Sequence, residues 1–479
     1  MVVNRMVWYV FAIVAVEAMF AIPKVNWELA TGQGQGGRVL ACAFAILATL
    51  FAWRFRRSIA LRLRGLGERL AALGDFSWLC ICAIVGILLR LGWMIAYPAP
   101  QRSDYGTYFN LARGLAVSQQ YGSSGSDLAF WPPGYPFFLS LFLRLFGVHG
   151  WVPEFANIVI FLITLTVVQR LAVRIGGAPV GRLATLVLVL WPTYFMCGSL
   201  ASKELLVVCL LPLSFLAYVN SAEGTRPNAR IAWALLTGAL LGFTGLTQPS
   251  LLLLPGVLIG YDWLRKERML WSLARIACVA LAMFLVILPW MLRNHQVLGA
   301  WIPVSTNGGD VFYRANNDQA TGAYAEAPIR KFVDLDEVNR SRLGYQLGID
   351  WIRNNPDRFL LLAVRKQVLF LGDDSTGAYE TLKRGLGIGG MRYAIWKGIS
   401  NLYWLCIWMI MFAAFAIHAK GELSSKPEVS MVMLAVLYLY SIHSVFESGG
   451  KYHVPLIALF AIIAALAAAP CNEHARPND

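Results

Sequence analysis

The sequence predicts an all-α polytopic membrane protein with about twelve transmembrane helices. Of its 479 residues, 58% are hydrophobic and only 14% are charged, whereas soluble domains carry about a quarter of charged residues. Apolar stretches of about twenty residues, the length that spans a bilayer, recur from the N-terminus to Ala469. These observations exclude a disordered chain, a fibrous repeat and a small disulfide scaffold.

Each apolar stretch with polar or charged flanks predicts one helix. The first stretch is short enough to be a secretory signal, but no clear small-x-small cleavage site follows it, so we predict a retained helix. The predicted spans lie near residues 7–22, 39–53, 76–97, 152–171, 183–200, 205–219, 231–247, 251–263, 273–290, 398–417, 429–446 and 454–468.

The net charge of +14 does not indicate a nucleic-acid partner, because the basic residues do not form one patch interleaved with aromatic residues. They lie in segments between apolar stretches, as in the cytoplasmic loops of membrane proteins. The amphipathic stretch 54–73 holds six arginines, and we expect it to rest on the anionic cytoplasmic leaflet.

Alternation of the helices across the membrane then assigns sides to the loops. With the arginine-rich segments inside, the segments 101–130, 293–357 and 447–452 fall outside and both termini are cytoplasmic. Only one crossing fits between residue 130 and the next basic cluster, so we predict that 136–146 is a helix along the outer membrane surface. We expect the same of 359–371, since Arg365 and Lys366 would be costly at mid-bilayer.

No metal site is evident in the sequence. Six of the eight cysteines fall inside apolar runs, and Cys197 and Cys471 have no neighbour at metal-ligand spacing. The histidines form neither an HxxxH nor an HExxH motif, so a protein-bound zinc has no support.

The predicted outer segments hold the candidate functional residues. The first motif reads Arg102-Ser103-Asp104-Tyr105-Gly106-Thr107-Tyr108, and on spacing alone Asp104 is either a functional acid or the N-cap of the amphipathic helix that follows. The later motifs, each of which has a plain structural reading as a turn or a solvated loop, are Trp131-Pro132-Pro133-Gly134-Tyr135-Pro136, Ser202-Lys203-Glu204, Pro289-Trp290 with Arg293-Asn294, Asn307-Gly308-Gly309, and Glu447 to Pro455 with Lys451-Tyr452-His453.

In this order and on one predicted side of the membrane, these motifs resemble those of the bacterial glycosyltransferase family 39. Its members are GT-C type membrane glycosyltransferases, similar to the protein O-mannosyltransferases and to the aminoarabinose transferase of lipid A. The resemblance runs from about Phe76 to Pro455. Two features depart from the family pattern: two extra helices precede the usual first one, and a single acid stands where many relatives carry a pair. A divalent metal is therefore left open, with no motif to support it.

The resemblance implies a GT-C helical bundle that transfers a sugar, with inversion, from a polyprenyl-phosphate donor to an envelope lipid, glycan or protein. It also implies membrane lipids as surroundings, no nucleic acid, and a bacterial inner membrane with the active site on the periplasmic face. A phosphate leaving group is already anionic, so one base and a cationic clamp suffice, without the two carboxylates of glycosidases.

In this interpretation Asp104 is the general base. Lys203, Arg293 and Lys451 are expected to stabilise the departing phosphate, with Arg102 and His453 as weaker candidates. The remaining predicted substrate-binding residues, some of them aromatic residues that are also common at membrane interfaces, are Tyr105, Tyr108, Trp131, Tyr135, Glu204, Asn307 and Tyr452.

The predicted organisation has four parts. Residues 1–75 form the two extra helices and the basic segment, 76–291 the core with its first outer loop at 98–151, 292–396 an outer region expected to select the acceptor, and 397–479 the last helices and tail. The main alternative is a transporter or flippase of lipid-linked sugars. A broken helix at Gln248-Pro249 and the acid Glu17 in an apolar run are the features that favour it.

Overall fold

Helices make up the fold. The computed structural model describes residues 2–32, 36–122, 127–325, 332, 335–419 and 421–470, and this part of the chain contains no β-strand. The helices are α1 Val2–Thr31, α2 Gly36–Ala71, α3 Asp75–Ala96, α4 Ser103–Val117, α5 Gly134–Phe146, α6 Val152–Gly176, α7 Ala178–Leu190, α8 Pro192–Met196, α9 Lys203–Glu223, α10 Pro227–Thr247, α11 Pro255–Arg265, α12 Met269–Leu298, α13 Gly308–Ala315, α14 Glu337–Asn354, α15 Pro356–Gly372, α16 Thr376–Ala378, α17 Gly390–His418, α18 Pro427–Val445 and α19 Ile457–Ala465.

Among the described residues, ten helices are long and apolar enough to cross a membrane, or eleven if α7 and α8 form one broken span bent by 56°. The predicted polytopic all-α class is therefore confirmed, with ten or eleven spans in place of about twelve. The difference is the predicted span at 251–263. Prolines at 249 and 255 leave α11 only 11 residues long, about 16 Å, which is too short for a bilayer.

The segment between α10 and α12 nevertheless returns the chain to its starting side. Arg230 lies near the start of α10. Its Nη2 is 3.9 Å from Oε1 of Glu267, and its guanidinium lies over the ring of Trp271, near the start of α12. The two helices therefore run parallel, and the segment with α11 connects the end of one to the start of the other. This agrees with the predicted alternation of the loops.

The arginine-rich stretch 54–73 does not form a separate surface helix. It continues the second predicted span without a break, and α2 is 36 residues or about 54 Å long. Its last turn packs against α7, where Arg182 donates hydrogen bonds to the carbonyl oxygens of Leu70 and Leu73. Arg182 therefore anchors the C-terminal end of α2 to α7.

The two predicted surface helices are present as α5 and α15. They are 13 and 17 residues long, shorter than each of the ten helices that could cross a membrane. α5 packs against α4, α6 and α10, and α15 against α1 and α18. Lys366 of α15 is fully buried and donates hydrogen bonds to Oδ1 of Asn316 and to the carbonyl of Val445. α15 is thus part of the bundle on one side, while Leu361 on its other side is 73% exposed.

The bundle has two ends, which carry different sets of charged residues. The basic end, where Arg174, Arg265 and Arg275 pair with Glu223, Asp262 and Glu428, lies at the last turn of α9. The opposite end, at the first turn of α9 and the start of α4, is called the site end below. Asn4 of α1 bonds the carbonyl of Ser425 beside the start of α18, so the chain begins at the basic end.

Candidate active site

Gln101 anchors the start of α4, whose first turn carries Asp104. The side-chain amide of Gln101 donates a 2.8 Å hydrogen bond to the carbonyl of Ser199 and accepts a 2.7 Å hydrogen bond from the backbone amide of Ala201, in the segment before α9. Ser103 has a left-handed backbone conformation with φ of 52°. This conformation is energetically unfavourable for a residue with a Cβ, and it recurs at functional sites. The helix therefore begins at Ser103, and the Asp104 carboxylate lies within range of the charge of Lys203 in α9.

Asp104 does not cap this helix. The N-cap position is Arg102, and no side chain caps the first turn. Instead Oδ2 of Asp104 accepts a 2.5 Å hydrogen bond from Nζ of Lys451. The N-cap interpretation of Asp104 is therefore wrong. The residue instead forms an ion pair that joins two distant segments of the chain.

A second acid and a second lysine complete this group, which we call the Asp104 cluster: Asp104, Lys203, Glu204 and Lys451. Nζ of Lys451 lies 3.7 Å from Oε1 of Glu204, whose other oxygen accepts a hydrogen bond from Ser202. Glu204 is buried, whereas the Asp104 side chain is 38% exposed. The lysines stand over aromatic faces, Lys451 over Tyr105 at 5.1 Å and Lys203 over Tyr108 at 5.6 Å, an attractive geometry for cations.

The charges around Asp104 keep it ionised. Burial acts to raise the pKa of Asp104, but the positive charges of Lys451, Lys203 and Arg384 outweigh it, and the pKa lies below its ordinary value. A carboxylate that is ionised at neutral pH and reachable by solvent can accept a proton from a substrate. The two lysines beside it can hold an anionic group.

Buried aromatic residues support the cluster. Tyr108 meets the rings of Trp131 and Tyr135 edge to face, at 5.5 and 6.0 Å. Tyr105, Tyr108 and Tyr135 are each less than 4% exposed, so they shape the walls of the site more than its open surface. Trp131 is half-buried, and its carbonyl accepts a hydrogen bond from the hydroxyl of Tyr121.

The Pro-Pro-Gly-Tyr-Pro motif brings α5 against the end of α10. A Cβ on Gly134 would lie 2.4 Å from Oγ1 and 2.6 Å from the backbone nitrogen of Thr247. Only glycine permits this approach. The motif therefore fixes the position of Tyr135, which is fully buried behind Tyr108.

Glu380 and Arg384 also belong to the site, although no sequence motif predicts them. They form an ion pair of 3.0 Å on one π-helical turn, Tyr379–Gly385. Arg102 donates a long hydrogen bond of 3.4 Å to the carbonyl of Arg384. Burial raises the pKa of Glu380, with the Asp104 charge adding to the shift. The spacing of four residues was the only available signal, and it is too common to identify a site.

A second set of polar residues lies next to the Asp104 cluster, because Tyr452 directly follows Lys451 in the chain. The hydroxyl of Tyr452 donates a hydrogen bond to Glu447, and Nη2 of Arg314 lies 3.4 Å from Oε2 of the same carboxylate. The amide of Ser448 donates to the carbonyl of Gly322 at 2.9 Å. These contacts tie the segment that carries Lys451 to the region after α12.

Three predicted site residues lie apart from the Asp104 cluster. Arg293 holds the segment before Trp131, donating hydrogen bonds to the carbonyls of Tyr121 and Leu128 at 3.0 and 2.5 Å. His453 is fully buried, with Nδ1 2.6 Å from the carbonyl of Phe370 and Nε2 3.0 Å from Oδ1 of Asp374.

Asn307 is the third of these residues and stands at the N-cap of α13. The glycine turn after it serves helix packing, because a Cβ on Gly309 would lie 1.9 Å from the carbonyl oxygen of Ser341 in α14.

The described residues hold no group of three or more His, Cys, Asp or Glu side chains arranged to bind a metal ion. The two acids of the Asp104 cluster are matched by two lysines, and Lys451 already contacts the oxygens of both acids.

Comparison with known proteins finds one family whose model matches about a third of the chain. Residues 131–292 match the family described as dolichyl-phosphate-mannose-protein mannosyltransferase. The predicted resemblance to the GT-C glycosyltransferases is confirmed. The matched segment begins at Trp131 and ends just before Arg293, and it includes the Lys203-Glu204 motif. No curated protein sequence matches the chain.

Two solved structures are similar over most of this chain. ArnT from Cupriavidus metallidurans bound to undecaprenyl phosphate is 14% identical, with 82% of this chain and 78% of that chain covered and a TM-score of 0.43. AglB from Archaeoglobus fulgidus, an archaeal oligosaccharyltransferase in complex with an inhibitory peptide and a dolichol-phosphate, is 12% identical with a TM-score of 0.49. The similarity covers 82% of this chain and half of the length of AglB.

Proposed function

We propose that this membrane glycosyltransferase moves a sugar from a polyprenyl-phosphate donor to a hydroxyl or amine acceptor, with inversion at the anomeric carbon. The observation that carries the proposal is the Asp104 cluster, in which one ionised, partly exposed carboxylate bonds Lys451 and feels the charge of Lys203 at one end of the bundle. The family description, which names a dolichyl-phosphate sugar, supports a polyprenyl phosphate as the leaving group.

The lysines suit the departing phosphate. This leaving group needs charge stabilisation and no proton, and fixed cations in a partly dehydrated site supply it effectively. We assign this role to Lys451 and Lys203, which stand over the rings of Tyr105 and Tyr108.

Asp104 is the proposed general base. In the unbound protein Lys451 neutralises it and keeps its pKa low, which makes it a weak base. A donor phosphate on Lys451 would compete for the same ammonium. The pKa of Asp104 would then rise toward its ordinary value, so that the base is activated only when the donor is in place.

The region 292–396 is proposed to select the acceptor. Glu337 at the start of α14 accepts hydrogen bonds from the amide of Ala129 and the hydroxyl of Thr306, at 3.0 and 3.1 Å. Ala129 lies two residues before Trp131, so α14 is joined to the wall of the site. We place the site end on the periplasmic face of a bacterial inner membrane, because the arginine-rich loops lie at the opposite end.

The test uses the purified full-length chain in lipid with a panel of labelled polyprenyl-phosphate sugars and crude envelope acceptor. We expect wild type to release polyprenyl phosphate and to label one acceptor, and Asp104→Asn to lose this activity by a factor of roughly 10² or more. Asp350→Asn, an exposed aspartate of α14, is the matched control and should behave as wild type.

Two outcomes would contradict the proposal. Release that survives Asp104→Asn would return this residue to a structural role and move the search for a base to Glu380, Glu204 or Glu447. Movement of the donor across the bilayer, with no release from any donor, would favour the flippase.

A further inference from the structure

A cavity of about 440 Å³ lies at the basic end of the bundle, remote from the Asp104 cluster. α9 packs against α6 on one side and α10 on the other, and the cavity opens between these helices near the start of α3. One part of its lining is apolar and includes Val167, Leu213, Leu216 and Trp233. Trp233 is 38% exposed, so this wall is open toward the surroundings of the helices.

The other part of the lining is polar and carries an arginine that is free to bind. Arg174 is already engaged, with Nη1 2.5 Å from Oδ1 of Asn220 and Nη2 2.8 Å from Glu223. Arg170, one turn earlier on α6, is exposed, and no acidic group of the described residues pairs with it. One positive charge at the cavity is therefore not neutralised within the described part of the chain.

A buried hydrogen-bond acceptor also lines the cavity. Gln169 is only 4% exposed, its Nε2 donates to Oδ1 of Asp75 at 3.4 Å, and its Oε1 has no partner in the described structure. A buried amide oxygen without a donor is costly. A ligand that brings a hydroxyl group would relieve this cost.

We propose that this cavity binds an anionic phospholipid whose headgroup carries a hydroxyl, as in phosphatidylglycerol. The phosphate would pair with Arg170, a headgroup hydroxyl would donate to Oε1 of Gln169, and an acyl chain would cover Leu213, Leu216 and Trp233. A free phosphate ester would leave that apolar wall exposed. Basic pockets between transmembrane helices are established sites for acidic lipid headgroups. The inference is independent of the proposed sugar transfer.

The experiment is native mass spectrometry of the full-length protein from nanodiscs that contain equal phosphatidylglycerol and phosphatidylcholine. We expect wild type to retain phosphatidylglycerol preferentially and Arg170→Gln to reduce this preference roughly fivefold, the effect of one basic residue near an anionic lipid. Leu216→Trp, which fills the cavity from its apolar wall, should reduce retention of either lipid. Arg226→Gln changes an exposed arginine at the same end, outside the cavity, and should leave retention unchanged.

Thermal unfolding of the same variants separates lipid binding from folding. Phosphatidylglycerol added to delipidated protein should raise the Tm of wild type and Arg226→Gln more than that of Arg170→Gln, while the three Tm values without lipid remain similar. Equal retention of the two lipids by wild type, or an unchanged preference in Arg170→Gln, would overturn the proposal. A rise in Tm as large with soluble glycerol phosphate as with phosphatidylglycerol would overturn the assignment to a lipid.

Discussion

The ammonium of Lys451 donates a 2.5 Å hydrogen bond to Oδ2 of Asp104, and 347 positions of sequence separate the two residues. One stands in the first turn of α4 and the other in the short helix Gly450–Leu456 that leads into α19. The pair therefore forms only when the N-terminal and C-terminal parts of the chain have come together at the site end. It also links the proposed base to the proposed phosphate-binding cation, so the two functions can be tested through one contact.

Replacing Lys451 by methionine should abolish most of the activity. The substitution keeps most of the length of the side chain and removes the charge that is proposed to stabilise the departing phosphate. We expect kcat for sugar transfer to fall by roughly 10²–10³, the usual effect of losing one group that stabilises transition-state charge. Lys383→Met, an exposed lysine near the same site, is the control. A kcat within a factor of three of wild type would reject the role of Lys451.

The pH profile should report the same contact. The pKa of Asp104 is lowered below its ordinary value, so in wild type kcat/KM should show no acid limb above about pH 4. In Lys451→Met the limb should move to higher pH, because the largest neighbouring charge is gone. The pairing stabilises the fold above the unfolded pKa of the acid, and that stability is lost as pH falls through the lower folded value. An acid limb at the same pH in both proteins would show that another group titrates.

Much of the site could be predicted from the sequence because its members lie in motifs. Asp104, Lys203, Glu204 and Lys451 were all predicted, and the structure brings them together. Glu380 and Arg384 were missed, since they stand on a turn without any motif. His453 adjoins Lys451 and Tyr452 in sequence but points to the buried Asp374, a direction that depends on the helical register after Gly450.

Glu447 should act as a positioning residue for Lys451. It accepts a hydrogen bond from Tyr452 and pairs with Arg314, and both contacts weaken when the carboxylate loses its charge. We expect Glu447→Gln to lower kcat roughly tenfold while KM for the donor changes little. Steady-state kinetics normalised to folded protein measure this split. Asp318→Asn, which breaks the exposed pair with Arg358, is the control.

An equal loss of kcat in Asp318→Asn would contradict this prediction, as would a Glu447→Gln variant whose only defect is a smaller yield of folded protein.

The positions of the helices were easier to predict than the points at which one helix continues into the next segment. Within the described residues, apolar runs identified all the helices that are long and apolar enough to span a membrane, because bilayer-length hydrophobicity is a local property of the chain. Residues 39–53 and 54–71 form one helix, and its far end packs against α7, where Arg182 contacts the carbonyls of Leu70 and Leu73. Such long-range packing leaves no local pattern in the sequence.

Gly450 should be required for the position of Lys451. A Cβ at residue 450 would lie 1.9 Å from the carbonyl oxygen of Asp373, a backbone atom that cannot move easily. We expect Gly450→Ala to destabilise the protein by about 1–3 kcal/mol and to lower kcat as the next residue shifts. Gly256→Ala is the control, since a Cβ there meets nothing within 4 Å. Equal Tm and kcat in the two variants would refute the prediction.

Lys366 should make stability depend on pH in the alkaline range. Burial lowers its pKa to about 8, with Glu447 opposing the shift, whereas an unfolded lysine titrates near 10.4. Between these values the unfolded chain binds more protons than the folded one, so stability rises with pH from about 8 to about 10, by up to about 3 kcal/mol. Below pH 8 this contribution is constant.

The measurement for Lys366 is thermal unfolding in detergent across this pH range, with Lys366→Met as the comparison. The variant lacks the titrating ammonium, so its Tm should change less favourably with pH than that of wild type. Lys397→Met, at a partly exposed lysine that pairs with Asp373, should keep the wild-type rise. If the difference in Tm between wild type and Lys366→Met is the same at pH 7 and pH 10, Lys366 keeps its proton on folding and the buried ammonium is held by Asn316 and Val445 alone.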